Sequence, residues 1–436
     1  MSKKIVVLLF SVIGLLPSCN TTEPPPPEKT ITLTLEDAAS IEAWIKLTTT
    51  NLQLPAALTL KLNDQIRSTI NLVKADTLLY IDSLLPNTTY NFQASSIQST
   101  ADGPVSSNQL QVTTMDTTSH DIIWEVETIG GPGSFAFDVA IINENDIWVV
   151  GKFFKVGSDT SYNAAHWNGN NWDIVYIPIK AFGGHLSRAP LRAIYYVGNE
   201  IWVIGDAGGY ARLQNGIWHT EFNDAASAST YKIWGSSTNN IYFIGTNGSI
   251  TKFNGSSFIK MNSNTDINLT DIYGTPDGSE VWACGRADGQ KSIIIKLNAN
   301  RWERIWERNV FNAENIYNSS SIKTIWLDDR FFAWFTGAAF GVYRQSYKAN
   351  SVIDHLTFNN QNASHKIRGS SSNNVFMVGD DAMVWHFNGS TWKFYSSLNR
   401  EEDTLFSLDV KSNVIITVGV NSSTLLTNAL IIRGRR

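Results

Sequence analysis

The sequence predicts an all-β chain, and three observations carry that prediction. Apolar residues run in short stretches without helical periodicity. A six-residue phrase ending in glycine recurs from Asp146 to Gly419, and Asn-Gly turn signals stand between many of its copies. The phrase reads DIWVVG at Asp146–Gly151, EIWVIG at Glu200–Gly205, NIYFIG at Asn240–Gly245 and EVWACG at Glu280–Gly285. FAWFTG at Phe332–Gly337, NVFMVG at Asn374–Gly379 and VIITVG at Val414–Gly419 make seven copies, their closing glycines 54, 40, 40, 52, 42 and 40 residues apart. A period of about 40–50 residues built from short strands is the signature of a β-propeller.

Each copy is predicted to be one four-stranded blade. Upstream of the phrase lies an apolar run: Val139–Ile142, Ala193–Tyr196, Lys232–Trp234, Asp271–Tyr273, Thr324–Trp326, Lys366–Arg368 or Phe406–Val410. Downstream come paired runs split by a turn, as in HWNGNNW (His166–Trp172), RLQNGIW (Arg212–Trp218), KFNGSSF (Lys252–Phe258) and HFNGSTW (His386–Trp392). Asn-Gly suits a type I′ turn, which needs φ > 0 at both central residues. KLNANRW (Lys296–Trp302) keeps the plan with Ala299 in the glycine's place, and Arg344–Phe358 departs furthest from it. The aromatic after the turn (Trp172, Trp218, Phe258, Trp302, Trp392) recurs at one structural position, which predicts packing between blades rather than a ligand platform. After the seventh phrase one clear strand remains, Leu425–Arg433. Ile122–Ile129, with Trp124 at the recurring aromatic position, is predicted to complete that last blade, giving seven blades over residues 118–436 and no open edge.

The first 18 residues read as an export signal. Lys3 and Lys4 precede the apolar Ile5–Leu16, which is about half the length of a spanning helix. Leu16-Pro17-Ser18-Cys19 resembles the lipobox of bacterial lipoproteins, and that resemblance implies cleavage after Ser18 and lipid on Cys19; an ordinary secretory signal with a chance cysteine is the alternative. Residues 19–29 hold Pro24–Pro27 and form an extended tether. Residues 30–117 carry short alternating strands. Leu84-Leu85-Pro86-Asn87-Thr88-Thr89-Tyr90 resembles the tyrosine corner of fibronectin type III domains, and Trp44 the core tryptophan of that family; the resemblance implies a β-sandwich spacer.

Composition narrows the chemistry. With 17% charged residues and a net charge of −5, or −7 once Lys3 and Lys4 are removed with the signal, the chain lacks the basic surface that nucleic acid demands. Cys284 would be the only other cysteine and reads as a buried, inert thiol. No metal-ligand spacing, nucleophile elbow, Walker loop or dinucleotide fingerprint occurs, so no metal and no cofactor are expected. His166 and His386 occupy equivalent blade positions, which points to structure rather than coordination. Asp380-Asp381 reads as a polar turn rather than a cation site. The Asp-box repeat of sialidases is absent.

The longer intervals place extra chain in Lys152–Asn163, Pro178–Pro190 and Arg308–Ser321, loops that in a four-stranded blade open on one face. Long loops on a rigid scaffold are where binding residues collect, although drift in tolerant loops is an equal alternative. The candidates there are Phe153, Phe154, Tyr162, His185, Arg188, Arg308 and Tyr317, with Arg286 and Asp288 in a corresponding loop of another blade. The arrangement resembles exported lipoproteins of Bacteroidetes and Chlorobi-type bacteria that join a fibronectin-like spacer to a propeller of Asp-Ile-Trp-x-Val-Gly and Asn-Gly-x-x-Trp repeats; Asn374–Trp392 (NVFMVGDDAMVWHFNGSTW) carries the likeness. It implies a monomeric, lipid-anchored protein of the cell envelope, at the outer membrane or cell surface. The function expected is binding of a protein or glycan at one propeller face. A carbohydrate-active enzyme, glycosidase or transferase, and an envelope scaffold without a small-molecule site are the alternatives.

Overall fold

A computed structural model of the chain describes residues 27–97, 104–205, 209–222, 230–287, 291–309, 322–330, 332–337, 341–347, 354–356, 362–422 and 427–436. Its residues group into two compact units, and the division does not follow chain order. Met1–Thr34, Lys46–Thr77 and Asn91–Gln111 make the smaller; Leu35–Ile45, Leu78–Tyr90 and Val112–Arg436 make the larger.

The strands from Thr30 to Thr113 form two sheets. One holds Gln65–Leu72, Ala56–Leu62, Thr89–Ser96 and Leu110–Thr113 in that order; the other holds Thr30–Ala38, Ala43–Thr50 and Asp76–Ile81. The backbone N–H of Leu85 donates to the Tyr90 hydroxyl over 2.8 Å, the tie expected of the Leu84–Tyr90 motif. Trp44 departs from its expected place. Strand alternation turns Ile45 and Leu47 to one side and Trp44 to the other, where its ring packs on Phe332, 5.3 Å between centroids, inside the larger unit.

In the larger unit seven four-stranded antiparallel sheets follow one another among the described residues. Their first strands, Phe135–Asn143, Leu191–Val197, Thr230–Ser237, Leu269–Gly274, Ile322–Leu327, Ser364–Ser371 and Thr404–Lys411, each pack on the next, and the last returns to the first. That cyclic order makes the architecture a β-propeller. The glycine phrase is the second strand of every sheet. Apolar side chains on both its faces are buried, because each sheet is sandwiched between two neighbours: Ile147 and Val149 pack toward the last sheet, Trp148 and Val150 toward the second. Among the described residues one apolar cluster fills each of the seven gaps.

The recurring letters have local causes. The acid opening the phrase accepts the indole N–H two residues on, at 3.0 Å in Asp146–Trp148, Glu200–Trp202 and Glu280–Trp282. The aromatic after the turn packs between sheets as expected: Trp218 on Trp148, Trp302 on Tyr242, Trp124 on Phe376 and Tyr395. Ile123–Ile129 pairs antiparallel with Asn428–Arg435, placing Trp124 opposite Gly434. The turns divide into two kinds. Asn215-Gly216 and Ala299-Asn300 have φ > 0 at both residues, the expected type I′ form. At Asn168, Asn254 and Asn388 only the following glycine is positive. There the turn is longer, and the Asn carboxamide oxygen instead accepts the backbone N–H groups two and three residues ahead.

The closing glycine answers to its neighbour strand. Opposite each one the first strand carries a β-bulge: Gly151 pairs with Ala136 and Val150 with Asp138, leaving Phe137 unpaired, and Gly419 pairs with Leu405 and Val418 with Ser407, leaving Phe406 unpaired. The same slip occurs in the other five sheets at Arg192, Tyr231, Thr270, Lys323 and His365. At Gly151, Gly285, Gly379 and Gly419 a backbone carbonyl at the start of the bulged strand lies against the glycine. A Cβ on Gly151 would strike the Phe135 oxygen, and one on Gly419 the Thr404 oxygen.

Candidate functional site

The bulges build the site. A bulged residue lies outside the pleat and its side chain is re-aimed, here toward the end of the channel where the glycines lie. All seven bulged side chains, together with Arg286, line one opening of about 320 Å³. Phe137, Tyr231 and Phe406 supply aromatic surface, with Phe137 and Phe406 6.0 Å apart. Arg192, Arg286 and Lys323 supply positive charge. The Arg192 guanidinium lies over the Phe137 ring at 4.2 Å, a favourable cation–π distance. Lys323 Nζ donates to His365 Nδ1 over 3.2 Å, so His365 offers its Nε2–H to Asp380 over 2.6 Å. That hydrogen bond holds the Asp380 carboxyl below its ordinary range. Burial and then the charge of Arg286 push the Lys323 ammonium down, against the pull of Asp380.

Beneath the opening the next residue of each strand points into the channel, and these side chains neutralise one another. Lys232 Nζ donates to both Asp138 oxygens at 2.7 and 2.6 Å, while Ser407 Oγ and the Ile194 N–H donate at 2.7 and 3.0 Å. Asp271 accepts from Lys366 Nζ at 2.8 Å, from the Arg368 fork at 2.8 and 3.0 Å and from Thr324 Oγ1 at 2.6 Å. Burial alone would raise the Asp271 carboxyl, but Arg368 and Lys366 outweigh it and hold it well below the carboxylate range. For Asp138 the same contest is won by Lys232 and Lys366. Lys366 gives way instead, pushed down to about 7 by burial and by Arg368. On the far side of these pairs a cavity of about 170 Å³ is lined by Tyr195, Trp234, Tyr273, Arg368 and Asp409.

The loop residues expected from sequence gather only in part. Tyr162 and Arg188 meet: the guanidinium lies 5.8 Å from the Tyr162 ring and 4.4 Å from that of Tyr176, and it donates to the Ser161 carbonyl over 3.1 Å. Lys155 covers Tyr162 at 4.8 Å. Phe154 closes the strand paired with Ser161, its ring 5.0 Å below Lys152, whereas Phe153 is buried core. The strands extend further than the sequence suggested, shortening the connection after Phe154 to residues 155–160. Pro178–Pro190 is a small hairpin, Ile179–Lys180 against Leu186–Ser187. His185 stands just before its return strand, with no side-chain hydrogen bond among the described residues; the tip exposes Phe182, 77% accessible. Arg286 lines the channel opening. Arg308 is described in backbone only, opposite Ser292. Asp288, Tyr317 and Cys19 lie outside the described residues.

Sequence reasoning missed the bulged residues. The available signal was a polar, charged or aromatic residue directly before the channel-facing position of each first strand, repeated seven times. His166 and His386 prove equivalent, each stacked on the phrase aromatic (Trp148 at 4.2 Å, Phe376 at 4.4 Å) and bonded through Nε2 to the phrase's first residue. His386 also meets His120, Nδ1 to Nδ1, at 2.8 Å. Burial, then Arg436 and His120, push its imidazole down to about 2. Cys284 is buried, and burial pushes its thiol up. Among the described residues no group of three or more His, Cys, Asp or Glu side chains could hold a metal ion.

No protein-family model and no curated protein matches this chain. Among solved structures it is similar to YCF48 bound to D1 peptide, at 14% identity and a TM-score of 0.53 over 72% of this chain and 95% of that one. It is also similar to the Myceliophteria thermophila Cps50 (Swd1) β-propeller domain, at 10% identity and a TM-score of 0.48 over 71% and 98%. The YCF48 likeness shows the fold alone, a β-propeller.

Proposed function

We propose that this chain is a membrane-tethered, extracytoplasmic binding protein that offers the glycine-end face of its propeller to a protein ligand. The observation that carries this reading is the channel opening itself: seven bulges place aromatic and cationic side chains on a rigid rim. A solved propeller with a bound peptide gives the same use of the fold. Exposed apolar loop tips, Val156, Phe182 and Leu186, add the kind of surface that protein partners cover. In this reading the seven sheets are seven blades, with Ile123–Ile129 closing the ring as the outer strand of the last. Residues 30–117 are a fibronectin type III-like spacer, a view supported by the Leu85–Tyr90 tie. Cys19 carries lipid and residues 19–29 the tether, as the lipobox-like sequence suggests, which puts the protein in a bacterial envelope. The carboxylates beneath the opening are poor glycosidase acids, because Asp138 and Asp271 are saturated by cations and hydrogen bonds.

The test is site-specific photocrosslinking in intact envelopes, with a benzophenone side chain at Phe182 or at Ile217. Ile217 is 61% exposed and follows the Asn215-Gly216 turn at the opposite end of the strands. A discrete protein adduct at position 182, absent at 217, is expected. Adducts at 217 alone would put the binding face on the wrong end of the propeller.

A further inference from the structure

The opening holds more positive charge than its own residues neutralise. Arg286 lies close enough to Lys323 to disfavour the lysine's charge, yet neither forms an ion pair among the described residues. Lys323 spends a hydrogen bond on the His365 imidazole, and the Arg286 side chain has no partner there. The nearby acids are engaged: Asp138 by Lys232 and Ser407, Asp380 by His365. Like charges held together on a half-desolvated rim favour an anion between them, since the attraction strengthens as water is excluded. Asp380, acting through His365, offsets one of the two charges of the Arg286–Lys323 pair, so that pair matches a monoanion better than a phosphate dianion. Beside the cations lie Phe137, Phe406 and Tyr231, the last 39% exposed. Their faces suit an apolar group attached to the anion.

We propose that the glycine-end opening is a carboxylate-binding site, in which Arg286 and Lys323 hold a carboxylate of a peptide ligand and Phe137, Tyr231 and Phe406 receive the apolar side chain next to it. This deepens the protein-binding reading and rests on it. The opening, at about 320 Å³, has room for about one terminal residue, which makes a chain end or a single acidic side chain the natural occupant.

The experiment is saturation-transfer NMR on the full chain with N-acetylphenylalaninate, its uncharged amide, phenyl phosphate and trigalacturonate. N-Acetylphenylalaninate is expected to bind in the millimolar range, at least tenfold more tightly than the amide and the phosphate. Arg286→Gln with Lys323→Gln should abolish that binding, with thermal unfolding confirming the fold. Lys323→Gln alone, a milder change, should weaken it several-fold. Equal binding of acid and amide, or binding that survives the folded double variant, overturns the site. Tighter binding of trigalacturonate, lost in the double variant, overturns the peptide as occupant in favour of an acidic glycan; tighter phenyl phosphate overturns the carboxylate. If the Phe182 adduct persists while N-acetylphenylalaninate never binds, the protein-binding face stands and the carboxylate site falls.

Discussion

The same seven strands build both halves of the propeller channel, but the two halves solve different electrostatic problems. At the glycine end the bulges turn one side chain per strand onto the rim, where Arg286 and Lys323 keep charge uncompensated. Just below, the regular pleat sends Asp138, Lys232, Asp271 and Lys366 inward, and they must neutralise one another. In the far half the carboxyl of Asp409 accepts, among the described residues, backbone N–H groups alone, from Ile141 and Val410 at 2.8 and 2.9 Å. Burial pushes it up. The contrast teaches that a carboxylate in this channel is held charged by cations, and that where none touches it, burial favours the neutral acid.

The largest test of that contrast is a pair of isosteric changes. Asp271→Asn leaves Lys366 and Arg368 buried without their counter-charge and should cost about 3–5 kcal/mol in urea unfolding, whereas Asp409→Asn should cost about 1 kcal/mol or less. Equal losses would mean that the ion pairs do not hold the channel floor. The acid limb should separate them as well. A lowered folded pKa gives stability that is lost as pH falls below the unfolded value, and a raised one gives stability that fades as pH climbs above it. Asp271 and Asp138 therefore make the protein less stable as pH falls below about 3.8, while Asp409 makes it less stable as pH rises from that value. Unfolding of Asp409→Asn between pH 3 and 6 should show a steeper rise in stability than the parent.

Next in size comes the bulge itself. Gly419→Ala forces a Cβ onto the Thr404 carbonyl and should cost about 1–3 kcal/mol. Gly205→Ala meets nothing nearer than the Ile179 methyl at 3.4 Å and should cost about 1 kcal/mol or less. Similar penalties would mean that the carbonyl contact does not set the cost of replacing a closing glycine. Outside the channel, His386 is the matching control. Its imidazole, at about 2, should withdraw stability progressively as pH drops below about 6.5, and His386→Gln should flatten urea midpoints between pH 4.5 and 6.5. The smallest effect is expected at the rim: Lys323→Gln removes repulsion with Arg286 and should leave stability unchanged or raise it by about 0.5 kcal/mol. A loss above about 1 kcal/mol would make Lys323 structural.

Much of the larger unit was legible because its packing is periodic. Each glycine phrase is buried on both faces, so it reads as an uninterrupted apolar run, and in the three copies opened by Asp146, Glu200 and Glu280 that acid is fixed by the indole two residues on. The strand Ile123–Ile129 was found by counting, since the last repeat lacked one member. Trp44 was placed by its likeness to a family's core tryptophan, and that likeness does not say which of the strand's two faces carries it or what covers that face. The Asn-Gly turns were misread at Asn168, Asn254 and Asn388, where one dipeptide serves two turn lengths. Of the loop candidates whose side chains are described, Tyr162 and Arg188 come together, and Arg286 belongs to a different cluster.

By itself the sequence determined the repeat, the strand order within each sheet and the pairing of the chain's late strand with Ile123–Ile129, because these depend on local apolar pattern and on hydrogen-bonding groups that must be paired. The tertiary structure alone decided the site. Phe137, Arg192, Tyr231, Thr270, Lys323, His365 and Phe406 lie some 40 to 55 residues apart and share no single residue type, and a single-residue slip in register of each first strand against its glycine strand turns all seven toward one opening.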